Sequence, residues 1–246
     1  MQHRELIFPT SLIVTDQKID ISGFSRRQKT FYLNLFWDTV AFYKSRNKPR
    51  VVIGMAGPTG AGKSVLAVLF KELAKQAEQS FAFESITIDA YHYPNSFLNS
   101  HFSAGEPLKK VKGRFDTYEV HKLAGDLERF SFGKKVAFPL YSRKVHDPVE
   151  NGAAIEAKHC LLIVEGLWLL YDREGWEAIG PLLDFCYFIE SEKEQAKEPV
   201  LKRHMAGGRT FDDASRHYEL VDSKNSDLVL TTKARANKVI PPYYLV

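Results

Sequence analysis

The residues with the clearest chemical purpose are Gly57-Pro58-Thr59-Gly60-Ala61-Gly62-Lys63-Ser64, which fill every position of the Gly-x-x-x-x-Gly-Lys-Ser pattern of a phosphate-binding loop. Glycines let the backbone wrap a phosphate closely, so that successive N–H groups and the start of the following helix point at negative charge. Lys63 supplies a mobile cation for the β- and γ-phosphates of a nucleotide, and Ser64 supplies a hydroxyl for Mg²⁺. The expected nucleotide contacts therefore run from Gly57 to Val65. A glycine-rich turn with an exposed lysine would satisfy the same letters. The strand-like run before the loop and the helix-like run after it favour the phosphate-binding reading.

Such a loop is shared by several enzyme classes. No Asn/Thr-Lys-x-Asp element for guanine is present, Thr232-Lys233-Ala234-Arg235 being the nearest approach. The third strand-like run ends in Glu165-Gly166, without the Asp-Glu pair of motor and transporter ATPases. Two carboxylates close strand-like runs: Asp89 after Ser85-Ile86-Thr87-Ile88, and Glu165 after Leu161-Leu162-Ile163-Val164. In open α/β sheets the ligand crevice lies beyond the carboxyl ends of the strands, which aims both acids at the crevice of the phosphate loop. A capping or loop acid is the plainer reading of each.

The elements that must position these groups alternate. Val51 to Ala56 reads as a buried strand, Lys63 to Ala77 as a helix with apolar Val65, Leu66, Leu69 and Leu73, and Ile86 to Asp89 as the end of a second strand. Glu119 to Phe130 reads as a helix, and Leu161 to Val164, Phe185 to Ile189 and Leu228 to Leu230 as strands three to five. Short β-branched runs separated by helices indicate an α/β fold with a mainly parallel central sheet flanked by helices. Residues 1–49 differ: a short strand pair, Ser11 to Thr15 and Lys18 to Ile21, precedes an amphipathic helix from Phe31 to Tyr43. They form an expected N-terminal appendage to a main domain of residues 50–246, joined by the polar stretch Lys44 to Pro49. The connection from 91 to 116 is long for a compact domain, a length that goes with functional or mobile loops.

The chain has 246 residues and 44% hydrophobic content, enough for one substantial core. The net charge of +4 is spread without basic runs, so it suits an anionic small-molecule substrate and not a nucleic-acid partner. Cys160 and Cys186 sit in apolar runs and are expected to be buried free thiols. Met1-Gln2-His3-Arg4-Glu5 carries an early acid, and no apolar stretch has the length of a membrane helix, so no membrane association and a cytoplasmic location are expected. The oligomeric state is left open, a homodimer included.

Four stretches together carry a resemblance. Gly57 to Ser64, Ile88-Asp89-Ala90-Tyr91-His92-Tyr93, Pro139-Leu140-Tyr141-Ser142-Arg143 with His146-Asp147-Pro148-Val149, and Ile163-Val164-Glu165-Gly166 resemble the uridine kinase and phosphoribulokinase family in order and spacing. Within it the chain is most similar to a bacterial branch named for fructose-transport-system kinases, over almost its whole length. The resemblance implies a P-loop NTPase fold and an ATP-dependent transfer of the γ-phosphoryl group to a hydroxyl of a small metabolite, such as a nucleoside, a sugar or a pantothenate-like alcohol. ATP is the implied donor and Mg²⁺ the implied metal. The resemblance further implies that Asp89 accepts the proton of the attacking hydroxyl, that Glu165 joins Ser64 in holding Mg²⁺, and that Arg203 and Arg209, around Ala206-Gly207-Gly208, belong to a closing lid.

Some positions depart from the family pattern. Asp-Gly-Phe-His becomes Asp89-Ala90-Tyr91-His92, Lys-Gly-Ala-Pro becomes Lys112-Gly113-Arg114-Phe115, and Pro199 stands where a lid arginine is common. These changes spare the phosphate machinery and bear on the acceptor. Tyr91, His92, Arg114, Tyr141, Arg143 and His146 are the candidates to line its pocket, each with a core or surface role as the alternative. The competing functional reading is a P-loop NTPase that switches a protein partner and has no small-molecule acceptor.

Overall fold

The computed structural model describes residues 6–15, 17–77, 79–103, 105–142, 144–149, 152 and 154–241. The chain opens with an antiparallel pair, β1 (Ser11–Val14) and β2 (Gln17–Asp20), followed by α1 (Arg26–Ser45). Ser25 starts this helix as a capping box: its hydroxyl accepts from Gln28 N, and the Gln28 side chain accepts from Ser25 N. The core then alternates β3 (Arg50–Ala56), α2 (Lys63–Gln76), β4 (Ala82–Thr87), α3 (Val120–Ser131), β5 (Cys160–Gly166) and β6 (Phe185–Ile189). It finishes with α4 (Lys193–Ala206), α5 (Phe211–His217), α6 (Ser223–Leu230) and β7 (Lys238–Ile240).

Five strands form one parallel sheet in the order β7-β6-β3-β5-β4. β3 and β5 are buried at every position, as strands covered on both faces must be. One face carries a core of α1 and α2 with β1; Phe36 there lies 5.7 Å from Phe70 and 6.2 Å from Phe83, ring to ring. The other face packs α3 with Trp168 and Trp176. Both cysteines are free and buried. Among the described residues no helix is long and apolar enough to cross a membrane.

Because Phe36 is fully buried between α1 and the sheet, Phe36→Ala is expected to cost about 3–5 kcal/mol of stability. A urea denaturation curve reads this as a lowered midpoint. A loss under about 1 kcal/mol, the size of a surface substitution's effect, would mean that α1 lies loosely on the domain.

The last expected strand differs. Leu228 to Leu230 belongs to α6, and the fifth strand is Lys238–Ile240. Three apolar residues in a row fit either structure; the spacing Asp222, Asn225, Ser226, Val229, all buried, is the i, i+3, i+4, i+7 pattern of a helix face. The 91–116 connection is built from a short helix (Asn95–Ser100), a small hairpin and two tight turns.

Candidate active site

The phosphate loop joins β3 to α2 at the carboxyl edge of the sheet, and its shape depends on its glycines. Gly57 has φ of +148°, and a Cβ there would stand 2.3 Å from the carbonyl oxygen of Ile189 on β6. Gly60 has φ of +81°, and its Cβ would meet Ala196 and Val200 of α4 at 2.9 Å. Any side chain at either position would push the loop off the neighbouring element. Pro58 and Thr59 complete the curve: the Pro58 carbonyl accepts from Lys63 Nζ at 2.8 Å, and Thr59 N donates to Ser226 Oγ at 3.3 Å. Ala61 and Gly62 lead into α2, whose first turn carries Lys63, Ser64 and Val65.

Lys63 is only 6% exposed. Burial pulls its pKa down to about 8, against the upward pull of Glu165, with Asp89 also acting on it. Ser64 Oγ donates to Glu165 Oε1 at 2.9 Å. Glu165 lies within β5, buried, and burial raises its carboxyl above the ordinary range while Lys63 opposes the shift. A buried carboxylate and a hydroxyl beside the phosphate loop are oxygen donors of the kind Mg²⁺ takes.

Asp89 does not end the strand. β4 stops at Thr87, and Ile88–Tyr91 form one 3-10 turn whose Asp89 N–H donates to Thr87 Oγ1 at 3.3 Å. Residues three apart eclipse in such a turn, so Asp89 and His92 share a side and Tyr91 points elsewhere. Accordingly Asp89 and His92 line the cavity, whereas Tyr91 is fully buried with its hydroxyl donating to Asp126 Oδ2 at 2.8 Å. Tyr91 is thus a packing residue and not a pocket residue.

One cavity of about 710 Å³ gathers these groups, a size typical of ligand sites. Thr59, Lys63, Ser64, Asp89 and Glu165 form its floor. Arg203 and His204 of α4 and Arg209 line it as well, together with Gly207 and Gly208. The segment that carries them has a hydrophobic cluster of its own in Val200, Leu201, Ala214 and Tyr218, separate from the two main cores. Tyr141 and His146 also line the cavity, His146 with its Nε2 2.7 Å from the Gly207 carbonyl oxygen. Arg114 does not: its guanidinium pairs with Asp116 at 2.6 Å and with Ser103 Oγ at 2.9 Å, which turns it into a loop clasp. Arg143 lies outside the described residues.

Several lining residues carry no sequence signal of their own. Tyr118 donates to Asp89 Oδ1 at 3.4 Å and packs against His92 in a tilted pair with ring centroids 3.9 Å apart. Burial, then the Asp89 charge, raises the Tyr118 pKa well above the usual phenol value, so it stays a donor. Lys109 and Lys112 come from the long connection, where the three lysines of Lys109-Lys110-Val111-Lys112 are the available hint. Asp222 ends a π-helical turn, Tyr218–Asp222, and its Oδ2 lies 2.8 Å from His204 Nε2 and 4.0 Å from His217 Nε2. Such turns recur at functional sites.

His92 is 4% exposed, and burial pulls its pKa down to about 4, against the Asp89 charge and with that of Lys112. His217 is likewise brought to about 4 by burial, with Asp222 opposing. The unfolded chain binds these two protons near pH 6.5, so stability is complete above that value and falls as pH drops toward 4. The loss is up to about 3 kcal/mol per histidine. Denaturation midpoints at pH 7 and pH 4.5 check this; His92→Phe is expected to flatten the dependence, and an unchanged slope would place its protonation elsewhere.

The comparisons with known proteins bear on this geometry. The model of the "Phosphoribulokinase / Uridine kinase family" matches residues 52–243. The chain belongs to this family. It is 34% identical to the "Uncharacterized protein YggC" of Escherichia coli (strain K12) over 191 residues, covering 78% of this chain and 77% of that one. It is 27% identical to the pantothenate kinase of Streptococcus gordonii over 183 residues, 74% of this chain and 56% of that protein. The crystal structure of a "putative fructose transport system kinase" from Silicibacter sp. TM1040 has a similar fold, with a TM-score of 0.74 at 20% identity over 85% of this chain and 98% of that one. The family membership makes the expected fold, an α/β P-loop fold with a parallel sheet between helices, that of a phosphoribulokinase/uridine kinase-type protein.

Proposed function

We propose that the protein is an ATP-dependent kinase that transfers the γ-phosphoryl group to a hydroxyl of a small metabolite. The observation that carries this reading is the meeting of Lys63, the Ser64–Glu165 pair and Asp89 on one cavity floor. A switch NTPase needs only the first two. A carboxylate placed beside the phosphate loop, with Tyr118 and His92 behind it, provides for a second substrate.

In this reading the triphosphate lies on Gly57 to Val65, with backbone N–H groups and Lys63 on its oxygens. Ser64 and Glu165 are the residues that would hold Mg²⁺, which supplies positive charge to the β- and γ-phosphates. The acceptor oxygen attacks the γ-phosphorus, the bond from that phosphorus to the β–γ bridging oxygen breaks, ADP leaves, and the hydroxyl proton passes to Asp89. Arg203 and Arg209 close over the transferring group, and α4 with α5 moves as the lid that excludes water. The main domain of residues 50–246, with residues 1–49 appended, and a cytoplasmic location accompany this proposal.

The test is ATP consumption by purified protein across nucleosides, sugars, sugar phosphates, hydroxy acids and pantothenate-like alcohols. A kinase is expected to raise ADP formation sharply with one acceptor class, because the site completes itself on closure over both substrates. Fast hydrolysis that no small molecule changes, but a protein partner does, would replace this reading with the switch NTPase.

A further inference from the structure

Beyond the floor that binds the phosphates, the cavity has a second cationic wall on the Asp89 side. A continuous set of contacts leads to it: Asp89 meets Tyr118, Tyr118 packs against the His92 ring, that ring lies 5.8 Å from Tyr141, and Lys112 Nζ stands 5.6 Å over the Tyr141 ring. Lys112 donates to Asn95 Oδ1 at 2.8 Å and to the His146 carbonyl at 2.7 Å. Lys109 Nζ donates to the same Asn95 oxygen. Two ammonium groups thus converge on one neutral amide oxygen. Burial lowers both pKa values, that of Lys112 to about 8; a neighbouring cation adds to each shift, Lys109 for Lys112 and Arg209 for Lys109, while Asp147 opposes both and Asp89 opposes that of Lys112.

The compensating charge is thin. Asp147 lies 3.6 Å from Lys112, and the same oxygen already accepts from Asn95 N at 2.8 Å. Clasping a loop requires neither two desolvated ammoniums nor their convergence, which costs free energy through like-charge repulsion. A bound anion reverses that cost.

We infer that the acceptor itself carries a negative group, a carboxylate or a phosphate ester, held by Lys109 and Lys112 while its hydroxyl lies at Asp89. This rests on the kinase reading for the hydroxyl, but the anion site stands on its own geometry. Asn95 is a positioning residue, fixing both lysines; Arg209 reaches the same wall from the lid, its pKa lowered by burial and acted on by Asp222, Asp213 and Tyr141. Binding the anion would therefore draw the lid toward the acceptor.

Two measurements test this. First, with the phosphate loop saturated by Mg²⁺ and β,γ-imido-ATP, sulfate is titrated calorimetrically into wild type, Lys109→Gln and Lys112→Gln. One sulfate site is expected in wild type, weakened about 10- to 100-fold in each variant, the effect of losing a hydrogen bond to a charged group. No sulfate site, or one indifferent to both substitutions, overturns the inference. Lys109→Gln keeps the test valid should Lys112→Gln disturb the loop, and thermal unfolding checks both folds.

Second, ATP consumption is measured with matched acceptors: glycerate against glycerol, pantothenate against panthenol, and ribose 5-phosphate against ribose. The charged member of a pair is expected to be preferred, with its KM raised in both variants and ATP affinity retained. Preference for glycerate or pantothenate assigns a carboxylate; preference for ribose 5-phosphate assigns a phosphate ester. Equal use of charged and neutral members overturns the anion inference and leaves the kinase standing. Sulfate binding that depends on both lysines, with no alcohol phosphorylated in the broader screen, retains the anion site and removes the kinase.

Discussion

Lys63→Ala is expected to bind ATP about 10- to 100-fold more weakly, the loss of a charge-assisted contact, and to lose turnover by a further factor of about 10² to 10³, the loss of a group that stabilises developing charge. The two losses differ because the loop keeps its other means of binding. The Gly57 to Gly62 backbone and the start of α2 still present N–H groups to the phosphates, which carry part of the affinity and none of the mobile charge. The substitution also alters the buried neighbourhood. Lys63 holds the Glu165 carboxyl down against a burial effect that raises it. Without that cation Glu165 becomes easier to protonate, so the variant is expected to need more Mg²⁺ and to lose activity faster on acidification. Its fold has little to lose, since Lys63 Nζ donates to the Pro58 carbonyl beside the cavity. Calorimetry of nucleotide binding and single-turnover transfer separate the effects. A Lys63→Ala protein with wild-type turnover at saturating ATP would show that residues 57–64 are not the working site.

What could be read from the chain and what could not divides along distance in sequence. The phosphate loop is local: eight consecutive residues dictate a cradle, and the strand and helix around it are long enough for their periodicity to show. Buried strands such as Cys160–Gly166 announce themselves as apolar runs, and Glu165 could be picked out as the acid that follows the apolar Leu161 to Val164, where the crevice of an open sheet lies. Asp89 was legible as an acid near a strand end, but its true setting was not. The tight turn after Thr87 puts Asp89 with His92 and takes Tyr91 away, an outcome that reversed the role of Tyr91. Leu228 to Leu230 failed for a related reason, three apolar residues being too few to distinguish a period of two from one of 3.6. Arg114 falls outside the pocket because Asp116, two positions on, captures its guanidinium. Lys109, Lys112 and Tyr118 reach the cavity from in and just after the long connection and Asp222 from far along the chain, and only tertiary packing brings them to the phosphate loop.

Asp89→Asn is expected to lower phosphoryl transfer by about 10²- to 10⁴-fold, the range for loss of a positioned base, while nucleotide affinity hardly changes. The separation follows from geometry. Asp89 shares the cavity with the phosphate loop, yet its direct partners lie on the other side: Tyr118 at 3.4 Å and, through its own backbone carbonyl, the Nδ1 of His92 at 2.9 Å. Asparagine keeps the shape and can still accept from Tyr118 through its amide oxygen, so the turn after β4 should persist. It cannot take up the hydroxyl proton. Glu165→Gln is the informative contrast, because Glu165 accepts from the Ser64 hydroxyl beside the phosphate loop even though the Asp89 charge also acts on it; its defect should recede as Mg²⁺ is raised, whereas that of Asp89→Asn should not. Transfer to the acceptor found in the screen, at several Mg²⁺ concentrations, measures both defects. An Asp89→Asn protein that transfers phosphate near the wild-type rate would reduce Asp89 to a turn residue and leave the proton to water, in which case the cavity would still bind two substrates but would catalyse by positioning and charge alone.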